Sequence, residues 1–396
     1  MELLKKLLEM TALQQLASHP EVLLMIAIAF ALLYLGIKKK YEPLLLVPIG
    51  FGMLIANFPG GQMGVDKVDE TLTLYQIAHE HGIMNYLYYS LIKTGLLPPI
   101  IFMGVGALTD FGPMLRNLRL AFFGAAAQIG IFTVMFAAIA FGFTMKESAS
   151  LGIIGGADGP TAIYTTIKLA PHLLGPIAIA AYSYMALVPV VIPWVVKLTT
   201  TKAELKINMK EQDRLYPSKR VIKDLQTLKI LFPIGVGTMI CLLVPSSTPL
   251  LGMLFFGNLV KEIGASTGRL ATAASDTIMN IATIFLGLTV GATMQSSAFL
   301  NVETLMIITG GFLAFAISIA GGIFAVKIYN VFSKKKINPL IGATGLSAVP
   351  MASRVANELA LKHDPSNHLL QYAMASNISG VIGSAVAAGV LISFVG

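Results

Sequence analysis

The stretch "LGIIGGADGPTAIY" (Leu151–Tyr164) places an acidic residue, Asp158, in the middle of an apolar run. Two glycines precede the aspartate and a Gly-Pro pair follows it, and such residues interrupt a helix. Asp158 is the only acidic residue between Glu147 and Glu204. A carboxylate inside a membrane is costly and marks a functional site, and irregular backbone at that depth lines a cavity or is buried in protein. The stretch therefore predicts a broken helix that holds a functional carboxylate.

The composition places this carboxylate in a membrane protein. Of the 396 residues, 55% are hydrophobic and only 12% are charged, whereas soluble domains carry about 25% charged residues. Runs of about 20 apolar residues recur and are typical of membrane spans, so the first run is not a removed signal peptide. The single cysteine, Cys241, excludes an intrachain disulfide and a CxxC site. The GxGxxG, P-loop and HExxH motifs of soluble enzymes are missing from the sequence.

The net charge of +8 comes from basic residues beside the apolar runs, which predict membrane orientation rather than binding to nucleic acid. Lys38–Lys40 follow the first run, and residues 197–229 hold nine Lys and Arg against four acidic residues. We expect both segments on the cytoplasmic side. The chain must then be outside at Ser148 and inside at Lys197 with one ordinary span between them. Residues 150–170 therefore enter and leave on the same side, as a re-entrant or broken helix pair.

The two halves of the chain share one plan. "PLLLVPIGFGMLIAN" resembles "PLLGMLFFGNLVKE", and "IIFMGVGALTDF" resembles "TIFLGLTVGATM". Each half has about five predicted crossings and one Gly/Pro-interrupted stretch, the second being "NPLIGATGLSAVPMASRVAN" (Asn338–Asn357). Because five is odd, the second half is inverted, and a binding site at the midplane between the repeats is expected. The alternative is a duplication of helical hairpins without transport.

We therefore predict an all-α polytopic membrane protein with two inverted-topology repeats, each with about five crossings and one interrupted re-entrant helical hairpin. An amphipathic N-terminal segment precedes the repeats and can lie on the membrane surface. A basic cytoplasmic loop joins them. The predicted segments are 1–20 (N-terminal segment), 21–197 (first repeat), 198–229 (loop) and 230–396 (second repeat).

Oxygen-bearing side chains near the interrupted stretches form a candidate cation site. A carboxylate with carbonyls from a broken helix suits a monovalent cation, and hard alkali ions prefer oxygen ligands. Besides Asp158, the candidate oxygen donors are Ser347 and Asn338 in the second stretch, Tyr184 after the first and Asn377 in the last span. As isolated residues these four could equally cap or join helices, and Asp158 could be a structural member of a salt bridge.

Arg354 is a separate candidate in the second interrupted stretch. It could pair with Asp158 structurally, or it could hold an anionic substrate through two hydrogen bonds. The sequence leaves both interpretations open.

Several motifs together resemble one family. "GIIGGADGPTAIY", "IAAYSYMALVP", "IFMGVGA" with "TDFGP", "KINPLIGATGLSAVPMASRVAN" and "SNISGVIGSAVAAGV" are similar to the beta subunit of the biotin-dependent sodium-pumping decarboxylases. This family includes the beta subunits of oxaloacetate, methylmalonyl-CoA and glutaconyl-CoA decarboxylases. The resemblance extends from about Pro43 to the C-terminus. The polar segment at 59–84 is shorter than in the longer oxaloacetate members, which favours the acyl-CoA members.

The resemblance implies a function and a set of partners. A carboxyltransferase alpha subunit would move CO2 onto biotin on a carrier domain or subunit. This chain would decarboxylate the carboxybiotin, consume a proton and export sodium from the cytoplasm. A small membrane gamma or delta subunit, membrane lipid and further copies of the chain would complete the assembly in a bacterial or archaeal cytoplasmic membrane. The family's sodium-site residues match Asp158, Tyr184, Asn338, Gly342, Ser347, Arg354 and Asn377.

A mechanism follows from combining the resemblance with the chemistry of Asp158. With sodium bound the carboxylate is ionised, and when sodium leaves outward the lone buried charge favours protonation. That proton could pass to carboxybiotin, with Tyr184 and Ser347 as relay or ligand groups and Arg354 holding the carboxybiotin anion. Two alternatives are a stand-alone secondary sodium/proton antiporter or cation symporter, and a scaffold that only anchors a decarboxylase. Biotin in the purified complex would separate the pump from the stand-alone transporter, and the polar residues inside the apolar segments, Asp158 among them, argue against the scaffold.

Overall fold

The computed structural model describes residues 11–12, 16, 19–69, 71–217, 222, 224–348 and 350–396. Throughout these residues the regular structure is helical and contains no strand. Most of the predicted amphipathic segment at 1–20 lies outside the described residues. The prediction of an all-α protein is therefore confirmed for the described part of the chain.

The first half of the chain contains eleven α-helices among the residues described. A π-helical turn, Tyr88–Ile92, continues the third helix, and a 3-10 turn, Ile153–Gly156, separates the eighth and ninth. The helices are α1 (Pro20–Ile37), α2 (Pro43–Ala56), α3 (Leu74–Leu87), α4 (Leu97–Leu108), α5 (Gly112–Arg116), α6 (Leu118–Ala127), α7 (Ile129–Ala140), α8 (Met145–Gly152), α9 (Gly159–Leu169), α10 (Leu174–Ala186) and α11 (Val188–Thr199).

The second half also contains eleven α-helices among its described residues. A second π-helical turn, Ala273–Ile278, lies between the fifth and sixth of them. The helices are α12 (Lys202–Leu205), α13 (Met209–Leu215), α14 (Leu225–Leu243), α15 (Thr248–Glu262), α16 (Gly268–Thr272), α17 (Met279–Ala292), α18 (Ser296–Phe299), α19 (Val302–Phe332), α20 (Leu340–Ala343), α21 (Met351–His363) and α22 (Leu370–Val395).

Six helices of the described part are long and apolar enough to span a membrane, and up to eight spans result if each of two bent pairs counts as one. The pairs bend by 65° between α3 and α4 and by 71° before α11. Proline in the first turn of α4 and of α11 explains the bends, because it has no N–H to continue the preceding helix. The helix α2 is apolar but shorter. The chain is thus a multi-pass membrane protein.

The two most extensive helix interfaces join the halves reciprocally: α4 packs on α15, and α2 packs on α17. Glycine permits the close approach in the first of these interfaces. A Cβ atom at Gly106 would lie 1.9 Å from the Leu254 carbonyl oxygen, and one at Gly257 would lie 1.9 Å from that of Met103. Small residues let helix backbones approach in this way in membranes. In sequence, α2 resembles α15 and α4 resembles α17. Each interface therefore joins a helix of one resembling pair to a helix of the other pair, as expected for an internal repeat.

Both interrupted stretches are helix–break–helix hairpins. The first consists of α8, the 3-10 turn and α9, and Glu147 Oε1 contacts His172 Nε2 at 3.0 Å across its base. The second consists of α20, a break and α21, and the side-chain amides of Asn338 and Asn367 at its two ends both donate to the Ile207 carbonyl at 3.0 Å. The two legs of each hairpin therefore begin and end at a common base.

The two hairpins meet at their breaks. The backbone N–H of Ser347 donates to the carbonyl oxygen of Gly156 at 3.0 Å. The meeting point is buried, since both residues before the aspartate and all residues from Leu340 to Leu346 are buried. Two hairpins that touch at their breaks and are anchored at separate bases bring residues distant in sequence to one buried place.

Candidate functional site

The backbone of the first break fixes Asp158 at the start of α9. Ala157 adopts the left-handed region at φ 52°, which ends the 3-10 turn abruptly. Asp158 then caps α9, because its Oδ1 accepts from the backbone N–H of Thr161 at 3.2 Å. Aspartate is a preferred cap, and Pro160 suits the first turn that follows. The Gly-Pro pair that interrupts the helix in the sequence is therefore the start of a new helix.

Neutral hydroxyl groups surround the Asp158 carboxylate. Its Oδ2 accepts from Ser347 Oγ at 2.7 Å and from Ser384 Oγ at 2.9 Å. The residue is only 4% exposed, and it forms no ion pair with any described residue. The carboxylate is thus held by α9, the second break and the last helix without a compensating positive charge. A buried charge of this kind is expensive unless a cation or proton joins it.

Three buried side-chain oxygens near the segment 156–161 form no hydrogen bond of good geometry within the described structure: Thr161 Oγ1, Tyr182 Oη and Gln128 Oε1. Thr161 lies in the first turn of α9. The Tyr182 ring lies against Gly159, where a Cβ atom would be 2.0 Å from Tyr182 Cε1, and Gln128 Oε1 would be 3.5 Å from a Cβ atom at Gly156. Buried polar atoms rarely lack partners.

The donor set of this centre is made of oxygen alone. It comprises one carboxylate, two serine hydroxyls and the three oxygens without partners. Hard cations prefer such ligands, whereas sulfur and imidazole would favour transition metals. The arrangement can bind a small alkali cation next to a carboxylate, or bind a proton on that carboxylate.

Asn377 lies beside the centre rather than in contact with Asp158. Its side-chain amide donates to the Leu346 carbonyl, and its Oδ1 accepts from Ser353 Oγ at 3.1 Å. Both contacts are fully buried. Asn377 thus fixes the backbone immediately before Ser347, which sets the position of the serine hydroxyl.

The structure directs Tyr184 away from Asp158. The Tyr184 hydroxyl donates to the carbonyl of Ile308 in α19, and its ring packs against Phe312 at 5.8 Å between centroids. Tyr182 contacts the first break instead. Residues two apart on a helix do not share a face, so only one of the two tyrosines can point at Asp158 in this arrangement.

Asn338 lies at the base of the second hairpin and not at its break. Its amide donates to the carbonyls of Leu205 and Ile207, each at 3.0 Å, and its Oδ1 accepts from the Leu340 N–H at 3.0 Å. The side chain joins the hairpin to the 198–229 loop. Gly342 serves packing, because a Cβ atom there would lie 2.1 Å from the Gly322 carbonyl oxygen in α19. The structure does not bring Asn338 or Gly342 into contact with the carboxylate.

Arg354 is exposed, and its guanidinium group forms no ion pair or hydrogen bond with a described residue. It is the fourth residue of α21 and lies nine residues before the helix ends at His363, which is about 13 Å along the axis. An unpaired guanidinium so far along a hairpin leg is open to an anion. The interpretation of Arg354 as the structural partner of Asp158 is therefore excluded in this conformation.

Sequence reasoning did not select four of the candidate oxygen donors at the centre, and three of them had a usable signal. Thr161 stands three residues after Asp158, which is the spacing of a helix cap. Ser384 lies seven residues after Asn377, on the same face of α22. Gln128 is the only amide in the apolar segment Leu118–Ala140. Tyr182 carried no signal that separated it from its neighbour Tyr184.

Fold and site together define a multi-pass membrane protein with a buried, oxygen-lined carboxylate where two broken helical hairpins meet. The family described as the Na+-transporting oxaloacetate decarboxylase beta subunit matches residues 21–395. The chain belongs to this family.

Individual relatives match over nearly their whole length. The chain is 50% identical over 385 residues to methylmalonyl-CoA decarboxylase subunit beta of Propionigenium modestum, covering 94% of this chain and 95% of the relative. It is 46% identical over 370 residues to the protein of the same description in Veillonella parvula, covering 93% and 92%. It is 43% identical over 442 residues to oxaloacetate decarboxylase beta chain 2 of Salmonella typhimurium, covering 100% and 99%.

Proposed function

We propose that this chain decarboxylates carboxybiotin presented by a partner carrier and couples the reaction to sodium export and proton uptake. The observation that supports it most is the buried Asp158 carboxylate, which has two hydroxyl donors, no basic partner in the described structure and unpartnered oxygens beside it. A buried carboxylate in a purely structural role is usually paired with a basic group, because hydrogen bonds alone leave its charge uncompensated. Sodium is the transported substrate in this proposal.

The sodium ion binds between the two breaks. Asp158 supplies the charge, Ser347 and Ser384 supply hydroxyl oxygens, and Asn377 holds the second break in place. The three oxygens of Thr161, Tyr182 and Gln128 complete the candidate set. Tyr184 and Asn338 are proposed as ligands on the resemblance alone, and they would reach the ion only after the hairpins shift relative to α10 and the loop.

The chemical step needs one proton. The bond between the ureido nitrogen of biotin and the carboxyl carbon breaks, CO2 leaves, and the electron pair stays on the nitrogen, which takes the proton. Asp158 donates that proton after sodium has left, because a protonated carboxyl is the neutral form of the empty site. Arg354, free of ion pairs with described residues, holds the carboxybiotin anion through charge-assisted hydrogen bonds.

In this proposal the transport unit consists of two inverted repeats, 21–197 and 230–396, joined by the basic loop 198–229. The reciprocal packing of α2 with α17 and of α4 with α15 supports the repeat. The contact between the breaks supports hairpins that enter from opposite sides. Binding at the interface of such repeats allows alternating access by rocking or sliding of one unit against the other.

The partners are the carboxyltransferase alpha subunit, the biotin carrier domain or subunit and a small membrane gamma or delta subunit, with further copies of this chain as a homo-oligomer. The chain is 50% identical to a protein named for methylmalonyl-CoA and 43% identical to one named for oxaloacetate. This difference supports an acyl-CoA as the substrate of the partner carboxyltransferase.

The test is Asp158→Asn in the reconstituted complex, with release of CO2 and sodium uptake into vesicles measured together. We expect loss of sodium-dependent decarboxylation with the protein still folded in the membrane. Asp276→Asn is the matched control, because Asp276 is an exposed carboxylate on another apolar segment, and among the described residues its side chain accepts only from Asn280, at 2.8 Å. Full sodium-stimulated turnover in Asp158→Asn would defeat the proposal. Sodium flux driven by a pH gradient alone, without carboxybiotin, would instead favour the antiporter.

A further inference from the structure

A cavity of about 460 Å³ opens at the base of the second hairpin. Its walls come from the junction of α5 and α6, from the segment before α20, from α13 and from the first turn of α22. This volume lies in the range of sites that bind small molecules and cofactors. Its lining includes Arg116, Arg119, Asp213, Lys335 and Tyr372.

The charges of this cavity favour an anion. Asp213 is the acidic residue of the lining, and it is already used by Lys335 Nζ at 2.6 Å and by the Tyr372 hydroxyl at 2.7 Å. Arg119 donates to the Tyr329 hydroxyl at 3.0 Å through one nitrogen. The Arg116 side chain has no hydrogen bond or ion pair with a described residue. Three basic groups against one acid leave two positive charges, both on exposed guanidinium groups.

Two helices lead from this cavity to the Asp158 centre. The helix α6 begins in the cavity wall at Leu118, and Gln128 beside the centre lies ten residues later, about 15 Å along the chain. The helix α22 carries Tyr372 in the wall and Ser384 on the carboxylate, twelve residues apart, or about 18 Å. The same two helices, α6 and α22, therefore connect the cavity to the buried centre.

We propose that this cavity receives the carboxylated cyclic urea of the carrier's biotin arm and binds its carboxylate through Arg116 and Arg119. The proposal rests on the proposed function. Guanidinium groups bind carboxylates in a planar, bidentate geometry that ammonium groups do not offer. The base of the second hairpin, beside the basic 198–229 loop, is on the side where a cytoplasmic carrier arrives. The cavity is a receiving site, from which the head group passes to Arg354 nearer the break.

The test uses the purified complex in liposomes and N-carboxybiotin methyl ester as the probe, whose only negative charge is the transferred carboxylate. Release of CO2 is measured against probe concentration and, separately, against sodium concentration. For the double variant Arg116→Gln/Arg119→Gln we expect KM for the probe to rise about tenfold or more, since two charge-assisted hydrogen bonds are lost. The sodium concentration for half-maximal turnover should stay unchanged. Arg269→Gln, an exposed arginine in α16, is the matched control and should keep the wild-type KM.

A conservative variant separates charge from geometry. Arg116→Lys keeps the charge and should fall between wild type and Arg116→Gln in KM, because only the bidentate geometry is lost. An unchanged KM in the folded double variant would overturn the proposal while leaving the proposed function intact. Wild-type complex that releases no CO2 from the probe would overturn both.

Discussion

Ser384→Ala is the sharpest test of the oxygen-lined centre, because the sequence resemblance did not assign this residue. Its hydroxyl donates to Asp158 Oδ2 at 2.9 Å and also contacts the Val381 carbonyl at 3.0 Å. Alanine removes one of two hydroxyls on that oxygen and leaves Ser347 as the other. The substitution is smaller and apolar, so it fits without steric cost.

The expected magnitude follows from the lost ligand of the cation. In the cation-bound form the Ser384 oxygen turns its lone pairs to the ion, and a hydroxyl that interacts with a charged group contributes about 1.5–3 kcal/mol. Because Ser347 remains on the same oxygen, we expect the lower end, about 1.5 kcal/mol. This energy corresponds to about a tenfold change in an equilibrium constant. The sodium concentration for half-maximal decarboxylation should therefore rise about tenfold, while turnover at saturating sodium is largely kept.

The matched control is Ser379→Ala on the same helix. The Ser379 hydroxyl donates to the Ala121 carbonyl at 2.6 Å, at the interface of α22 with α6, and has no contact with Asp158. It should lower thermal stability slightly and leave the sodium dependence unchanged. Equal sodium dependence in Ser384→Ala and wild type, with both proteins folded, would refute the assignment of Ser384 to the cation site.

Arg354→Ala should raise KM for carboxybiotin with little change in thermal stability, because the guanidinium pairs with no described residue; normal carboxybiotin kinetics would exclude it as the anion clamp. Lys229 contacts Asp110 at 2.6 Å and the buried Glu262 at 3.3 Å. Lys229→Met should destabilise the protein by about 3 kcal/mol, because it leaves Glu262 unpaired. Thermal unfolding in detergent measures this loss. Burial opposes ionisation of Asp110, but the hydrogen bonds from Lys229 and from the Gly112 N–H, with the charges of Lys229 and Lys261, together outweigh it and hold the pKa of Asp110 below its usual value. Its contribution is therefore present above about pH 4 and lost as the pH falls through the lowered pKa, and this acid loss should shrink in Lys229→Met.

The fold was predictable to the extent that it depends on apolar length and helix breakers. Apolar runs predicted the spanning helices, and Gly/Pro clusters predicted both hairpins, because proline lacks the N–H that continues a helix and glycine weakens one. The bends before α4 and α11 follow from proline for the same reason. The count of five crossings in each half stays a prediction, since six helices qualify alone and α2 is short.

The site was only partly predictable, because side-chain direction depends on helix phase and on long-range contacts. Asp158 and Ser347 are each exceptional in their own stretch, and the structure brings them together at 2.7 Å. The choice between Tyr182 and Tyr184 depends on which face of α10 meets the first break, and sequence spacing does not settle it. Asn338 is buried like a ligand, but its neighbours are loop carbonyls more than 130 residues away in sequence.

The hydroxyl shell around Asp158 suits a transport site better than a basic partner would. A fixed guanidinium or ammonium group would neutralise the carboxylate permanently and would repel an arriving cation. A serine hydroxyl instead donates to the carboxylate when the site is empty and offers its own lone pairs when a cation is present. Ser347 and Ser384 can thus serve the ionised, protonated and cation-bound forms by rotating their hydroxyl hydrogens, without moving the hairpins. Arg354 pairs with no described residue, so in the proposed function it leaves the carboxylate free for exchange between sodium and a proton.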